Sequence, residues 1–253
     1  MGLGGTMNQQ ITGGLSFKYQ PQPVYPRKAS MSGVVDTFVA PFCEEQIDIL
    51  YQDPHLLLIN KPSGLLSLSG KNPLNKDSVH FRLVAQFPSA LMVHRLDLGT
   101  SGIMVLALTK AVNSALTKQF QERRVDKTYV GILDGHLEQD EGIIDIPLAK
   151  DPPNFPLQKV CLATGKVAQS HYKVLARLDD PPRSRVLFEP LTGRTHQLRI
   201  HSRELGHAIL GCDLYGSERT RQMARRLLLH ALTLDFVHPI TGESITGHAP
   251  CAF

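Results

Sequence analysis

The stretch from Ile103 to Leu108 constrains the fold of this chain more than any other feature, because all six of its residues are apolar. A strand-sized run without a polar position is typical of a strand that is covered on both faces of a sheet. Residues 110–123 follow with an apolar stripe at helical spacing, and Thr109 is placed to cap that helix. The pattern therefore predicts a central strand with a helix packed near it.

Other segments predict a sheet with more strands than helices. Apolar or alternating residues predict strands at 47–51, 56–59, 129–133, 170–176, 186–191 and 229–237. Helices are predicted at 78–87 and 195–205, and one more is predicted to carry Arg219, Arg221, Arg225 and Arg226. Few strands alternate with helices, so the expected class is α+β, with a mixed, mainly antiparallel central sheet flanked by helices.

The 253 residues divide into an extension and one domain. Residues 1–44 are rich in Gly, Gln, Pro and Ser, which predicts a flexible N-terminal extension. Residues 45–253 are expected to form one domain, since the chain is 42% hydrophobic and long enough for a large core. The start of the chain does not resemble a secretory signal, no apolar run could span a membrane, and the four cysteines are widely spaced. We therefore expect a cytoplasmic protein.

The positive charge is small overall but is concentrated in one region. Lysine and arginine total 27 against 23 acidic residues, which gives a net charge of +4. From Arg194 to Arg226 there are seven arginines and three acidic residues. Such an excess suits a polyanion such as nucleic acid. Solvated helix faces with ion pairs are the alternative interpretation.

The loop from His94 to Gly102 carries the strongest candidate for chemistry. It places the Asp97 carboxylate and the Arg95 guanidinium at the mouth of the predicted central strand. Burial and a nearby cation can adjust the pKa of an acid in such a position, which makes Asp97 a candidate for catalysis. The alternative interpretation is a structural aspartate that caps a turn and pairs with Arg95. Ser101 is not expected to be a nucleophile, because the chain has no G-x-S-x-G motif.

The same loop resembles the signature of the RluA family of RNA pseudouridine synthases, in which His-Arg-Leu-Asp is followed by Thr-Ser-Gly. Four further segments resemble elements of that family: Lys61–Gly64, Lys127–Tyr129, Gly193–His201 and the closing strands around Leu229–Ala231 and Phe236–Pro239. Together the matches span residues 47–253. The resemblance implies the pseudouridine synthase catalytic fold at residues 45–253, without the accessory N-terminal RNA-binding domain of other branches. Residues 151–169 resemble a branch that modifies both large-subunit ribosomal RNA and a tRNA anticodon loop.

The resemblance also implies roles for individual residues. Asp97 matches the catalytic aspartate, Tyr129 a tyrosine that stacks on the target base, and Arg199 an arginine that pairs with the aspartate. Arg95 matches a residue that fills the gap left by the flipped nucleotide. The expected contacts to the RNA backbone are Lys61, Lys127, Arg194 and His196.

The implied reaction needs neither a cofactor nor a metal, and its partner is RNA. No membrane and no obligate protein partner is expected, and the enzyme is expected to be a monomer. Three routes stay open for Asp97: attack on the anomeric carbon, attack on the uracil ring, or elimination across the sugar. Two other functions stay open, an RNA-binding or chaperone protein on the same scaffold, and hydrolysis that releases uracil, which needs a second carboxylate.

Overall fold

The computed structural model describes residues 38–253 of the chain. Most of the predicted extension, residues 1–44, lies outside the described residues. The strands of the described part are β1 Asp48–Gln52, β2 Leu56–Lys61, β3 Leu91–Met92, β4 Ser101–Ala107, β5 Asp126–Asp134, β6 Glu141–Asp145, β7 Leu148–Lys150, β8 Gln158–Val160, β9 Gln169–Leu178, β10 Arg183–Pro190, β11 Leu229–Val237 and β12 Ser244–His248. The helices are α1 Val79–Val84, α2 Lys110–Gln121, α3 Gln197–Glu204 and α4 Glu218–Gln222, with a 3-10 turn at Pro152–Asn154.

The strands form one large sheet and one small hairpin. The ten-stranded sheet has the order β1-β2-β4-β11-β5-β10-β9-β6, with β12 paired to β11 and β3 paired to β4. β4 and β11 run parallel, and the other strand pairs of the described residues are antiparallel. β7 and β8 form a separate antiparallel hairpin. The predicted α+β class with a mixed, mainly antiparallel sheet is confirmed.

The central strand and its helix lie where the apolar pattern predicts them. β4 is buried at every position. The Thr109 hydroxyl accepts a hydrogen bond from the Val112 amide at 3.2 Å, which caps α2 at its N-terminus. None of the helices between residues 38 and 253 combines the length and the apolar character that a bilayer span requires.

Two hydrophobic cores lie along the sheet. The first core joins residues of β2, β4 and β11 with α1 and α2, and the second core joins residues of β6, β9 and β10 with α3. Tyr129 on β5 packs against both cores. The two cores therefore meet at this side chain.

The described end of the extension is bound to the domain. The side-chain amide of Asn75 donates to the carbonyl oxygen of Phe38 and accepts from the amide of Ala40, both at 2.8 Å. Arg82 on α1 donates to the carbonyl oxygen of Glu45 at 2.6 Å. These bonds hold the chain against the domain before β1 begins.

The prediction that four arginines share one helix is wrong, because α4 ends at Gln222. Arg226 lies beyond the helix, and its Nη2 donates to Ser101 Oγ at 2.7 Å. The backbone of Arg226 also passes very close to Gly211, where a Cβ would lie 1.9 Å from the Arg226 carbonyl oxygen. Gly211 has a φ of +71°, so glycine is required here on both counts. Gly211 lies between α3 and α4, and Arg226 lies between α4 and β11, so this close packing joins the segments on either side of α4.

Candidate active site

The loop that carries Asp97, residues 96–99, is bound to the chain that follows β2. Ser67 Oγ accepts a hydrogen bond from the Leu96 amide at 3.1 Å and donates to the Leu96 carbonyl oxygen at 2.8 Å. Ser67 is buried, so both bonds are protected from water. The residue next to Asp97 is therefore fixed through its backbone.

Lys61 is bound to the same loop through the carbonyl oxygen of Leu98. Its Nζ donates to three carbonyl oxygens, those of Pro62 at 2.8 Å, Leu65 at 2.7 Å and Leu98 at 3.2 Å. The side chain is fully buried, and this burial lowers the pKa of Lys61 to about 7. The prediction that Lys61 contacts the RNA backbone is therefore wrong, because its amine faces the interior. It fastens the Asp97 loop instead.

Gly102 allows the loop to run directly into the parallel pair of strands. Its φ is +116°, and a Cβ at this position would lie 2.1 Å from the carbonyl oxygen of Ala231. β4 and β11 can therefore approach each other here only through glycine. The approach brings Ser101 beside His230, whose Nδ1 lies 2.8 Å from Ser101 Oγ.

Asp97 faces two basic side chains, Arg199 on α3 and His196 immediately before α3. Arg199 Nη1 lies 3.9 Å from Asp97 Oδ2, and His196 Nε2 lies 3.9 Å from Asp97 Oδ1. The Asp97 side chain is 28% exposed, whereas that of Arg199 is only 4% exposed. The carboxylate is thus open to a ligand on one side and backed by buried donors on the other.

Arg199 has a second carboxylate partner that the sequence analysis missed. Its Nη2 donates to Asp213 Oδ1 at 2.5 Å, and its Nε and Nη2 each lie 3.4 Å from Cys212 Sγ. Burial opposes the charge of Arg199, but Cys212, Asp97 and Asp213 together raise its pKa above the ordinary value. The sequence did hold a signal, because Asp213 is one of the three acidic residues within the arginine-rich region.

A cleft opens beside Asp97, and Tyr129 on β5 and Arg199 on α3 line it as well. Burial, and then the charge of Asp97, raise the pKa of Tyr129 above its ordinary value. The phenol therefore stays protonated at neutral pH and can donate a hydrogen bond. The structure brings together the three residues expected to be catalytic, Asp97, Tyr129 and Arg199.

Of the remaining predicted contacts, Arg95 and Arg194 line the cleft, whereas Lys127 is not among the residues that line it. Arg95 is exposed and lines the cleft beside Asp97. Arg194 also lines the cleft, and its Nε donates to the Val167 carbonyl oxygen at 2.9 Å. Lys127 is half-buried on β5, and burial lowers its pKa.

His94 lines a second hollow beside Asp97 and is held there by contacts within the protein. Its Nε2 accepts a hydrogen bond from the Val105 amide at 3.1 Å, and its ring stacks on Phe120 with centroids 4.6 Å apart. Burial lowers the pKa of His94 to about 3, so the ring is neutral. Ser101 Oγ is bonded to His230 and Arg226 rather than to His94.

Replacing Arg199 with alanine is expected to inactivate and to destabilise the protein. The change leaves Asp97 and Asp213 without their shared cation and opens a cavity at a buried position. We expect a loss of about 3–5 kcal/mol in the free energy of unfolding, measured by urea denaturation. The control is Arg124→Ala, because Arg124 is 55% exposed and pairs with Glu122 at the surface, where less than about 1 kcal/mol is expected. Equal losses in the two variants would show that the Arg199 cluster contributes nothing special.

Comparison with solved structures identifies the class of protein that this fold and cleft define. The human protein "RNA Pseudouridylate Synthase Domain Containing 1" superposes with a TM-score of 0.68 at 30% identity, over 83% of this chain and 85% of that one. The human protein "RNA Pseudouridylate Synthase Domain Containing 4" gives a TM-score of 0.64 at 25% identity, over 81% and 88% of the two chains. The fold is that of the pseudouridylate synthases.

The sequence comparisons agree with the structural ones. The family model described as "RNA pseudouridylate synthase" matches residues 55–204, a range that contains Asp97, Tyr129 and Arg199. The chain belongs to this family and is an enzyme. A relative from Yersinia pestis named "Dual-specificity RNA pseudouridine synthase RluA" is 53% identical over 203 residues, which is 80% of this chain and 97% of the relative. A relative of the same name from Escherichia coli is 50% identical over 210 residues, 83% and 95% of the two chains.

Proposed function

We propose that this enzyme isomerises specific uridines to pseudouridine in structured RNA, and that its substrates are large-subunit ribosomal RNA, tRNA or both. The observation that carries the proposal is the Asp97 carboxylate, which opens onto a cleft and is backed by Arg199 and His196. The relatives named dual-specificity synthases support more than one RNA as substrate, since they align over most of both chains.

The proposed reaction conserves the atoms of the nucleotide. The bond between the sugar C1′ and uracil N1 breaks, the base rotates, and a bond forms between C1′ and C5. C5 then releases its proton, and N1 gains one. Because the base is used again, the cleft has to exclude bulk water, and one carboxylate suffices where a glycosidase needs two.

Each side chain of the cleft has a proposed role. Asp97 is the catalytic carboxylate. Arg199 keeps this carboxylate ionised and holds its orientation. Tyr129 stacks on the target base and donates from its protonated phenol. Arg95 occupies the space of the flipped nucleotide, since its planar guanidinium can stack there and bind phosphate at once. Lys127 and Arg194 are the proposed contacts to the RNA backbone. His196, also expected to be such a contact, instead has its Nε2 facing Asp97.

Hydrolysis to free uracil is the weaker candidate. It requires a second carboxylate, and the structure places Asp213 near the site. That carboxylate is already engaged by Arg199 Nη2, whereas Asp97 lies near Nη1, and Asp213 does not line the cleft. The family also favours isomerisation. An RNA-binding protein without catalysis is likewise disfavoured, because it has no need of a carboxylate flanked by buried donors.

The test is tritium release from RNA that carries uridine labelled at C5, with ribosomal RNA fragments and tRNA transcripts assayed separately and without added metal. Release to water from either RNA, with no free uracil on chromatography, supports isomerisation and identifies the substrate class. Free uracil supports hydrolysis instead. RNA binding without release from any transcript supports the binding-protein alternative. We further propose that the enzyme acts as a cytoplasmic monomer.

We expect the affinity for RNA to fall steeply with salt, and Arg95→Ala to make that dependence shallower. Each phosphate contact releases a counterion and adds about 0.7–0.9 to the slope of log affinity against log salt. The matched control is Arg183→Ala. Arg183 is the first residue of β10, whereas the residue of β10 that lines the cleft is Pro190, at the other end of the strand. Filter binding at several salt concentrations measures both slopes. A flat salt dependence of the wild type would remove the role given to the arginines.

A further inference from the structure

Tyr215 connects the two basic partners of Asp97, although neither the sequence motifs nor the proposed reaction uses it. Its ring lies 5.5 Å from the guanidinium carbon of Arg199 and at 5.5 Å between centroids from the ring of His196. Its hydroxyl lies 2.7 Å from His196 Nδ1 and 2.9 Å from the amide nitrogen of Gln158. The side chain is buried.

The hydrogen-bond partners of this hydroxyl determine where the imidazole proton lies. The Gln158 amide can only donate, so the Tyr215 oxygen accepts that bond. If the hydroxyl donates its one proton to His196 Nδ1, all three groups are satisfied. In the other tautomer the oxygen receives two donors and its proton needs a third partner, which the described residues do not show. Burial raises the pKa of Tyr215 to about 12, so the hydroxyl keeps the proton that it donates.

The backbone fixes the imidazole in this direction. His196 stands immediately before α3 with a φ of +59°, the left-handed region, and its ring side chain is only 10% exposed. With Nδ1 occupied by Tyr215, Nε2 carries the hydrogen and faces Asp97 Oδ1 at 3.9 Å. An N–H at this place attracts the carboxylate, whereas a bare nitrogen lone pair would repel it.

We propose that Tyr215 is a positioning residue that holds His196 as the neutral Nε2–H tautomer and thereby orients the Asp97 carboxylate. The inference rests on the proposed function, in which Asp97 is the catalytic group. Gln158 begins β8, so the β7–β8 hairpin fixes the hydroxyl in turn. The geometry thus extends the support of the active site to a hairpin outside the main sheet.

The charges around His196 act in both directions. Burial is the largest influence and lowers its pKa, Asp97 and Asp213 raise it, and Arg199 and Arg95 lower it. The net direction is downward, so the imidazole is neutral at pH 7 and keeps a single N–H. Tyr215 then decides which nitrogen carries it.

The first test compares Tyr215→Phe with Tyr172→Phe, which removes a hydroxyl from another buried tyrosine in the second core. With tritium release as the assay, we expect Tyr215→Phe to lower kcat about tenfold, with KM within about twofold of the wild type. Tyr172→Phe should leave both constants unchanged. An unchanged kcat in Tyr215→Phe, or an equal loss in both variants, overturns the proposal.

The second test reads the tautomer without any assay of activity. In protein labelled with ¹⁵N-histidine, long-range ¹H–¹⁵N correlations distinguish the two neutral tautomers, and the His196→Gln spectrum assigns the signal. We expect the Nε2–H form in the wild type and in Tyr172→Phe, and a mixture in Tyr215→Phe. An Nδ1–H form in the wild type overturns the inference. Because this result does not depend on turnover, it separates a failure of the inference from a failure of the proposed function.

A double-variant cycle excludes a merely structural effect. The side-chain amide of His196→Gln can donate toward Asp97 without help from Tyr215, so adding Tyr215→Phe to this variant should cost no further kcat. A second tenfold loss in that background would show that the hydroxyl acts only through stability, which overturns the proposal.

Discussion

Replacing Asp97 with asparagine is expected to abolish tritium release while RNA binding survives. Asparagine has nearly the same shape and keeps one oxygen, but it has neither the charge nor the nucleophilicity of a carboxylate. We expect kcat to fall by about 10⁴-fold or more, which is typical for removal of a central catalytic group. The affinity for RNA should stay within about threefold, because it depends on the arginines of the cleft rim rather than on this acid.

The control for this experiment is Asp140→Asn, which removes a carboxylate that is 82% exposed and pairs with Arg177 at the surface. It should release tritium at the wild-type rate. If Asp97→Asn lost RNA affinity in proportion to turnover, the proposal that the arginines bind RNA while Asp97 serves catalysis would be wrong. A loss of kcat far smaller than the expected 10⁴-fold would exclude the proposed role of Asp97.

Replacing Lys61 with methionine is expected to destabilise the protein strongly. Methionine fills a similar volume but leaves the buried carbonyl oxygens of Pro62, Leu65 and Leu98 without the donor that Lys61 supplies. A buried unsatisfied polar group costs about 1–3 kcal/mol, so we expect a total loss of about 3 kcal/mol or more. The melting temperature should fall by roughly 10 °C. Even at temperatures where the variant is still folded, kcat should be lower than in the wild type, because the Asp97 loop loses an anchor.

The effect of Lys61 on stability should also depend on pH. Its pKa is about 7 in the folded protein and 10.5 for the free side chain, so the unfolded chain binds more protons between these values. The stability of the wild type relative to Lys61→Met should therefore rise from pH 7 to pH 10. The control is Lys71→Met, since Lys71 is exposed and should show no such trend. An unchanged melting temperature in Lys61→Met would show that the amine is not a structural donor.

The elements with strong local signals could be predicted from the sequence. β4 has an uninterrupted apolar run, and α2 has both its stripe and its cap at Thr109. The alternation of apolar and polar residues predicts β11 at residues 229–237, the range that the structure gives. β6, the β7–β8 hairpin and β12 were missed because they are short and their exposed positions blur the alternation of apolar and polar residues.

The candidate site was predictable in its main residues but not in its supports. The motif around Lys61 places this residue near the cleft. The direction of its amine, which points into the interior toward three carbonyl oxygens, is not encoded in the motif. Asp213 and Tyr215 lie in an irregular segment between α3 and α4, and only the tertiary fold brings them to Arg199 and His196. Long-range contacts of this kind leave no periodic trace in the sequence.

The position of Tyr129 between the two hydrophobic cores has a consequence for how such an enzyme adapts to temperature. We expect a substitution that changes the packing of either core to shift this side chain relative to Asp97, although it touches no reacting atom. The catalytic rate can therefore be tuned from two independent sets of interior residues. Adaptation to cold or heat can proceed through aliphatic substitutions there, while the chemistry of the cleft stays the same.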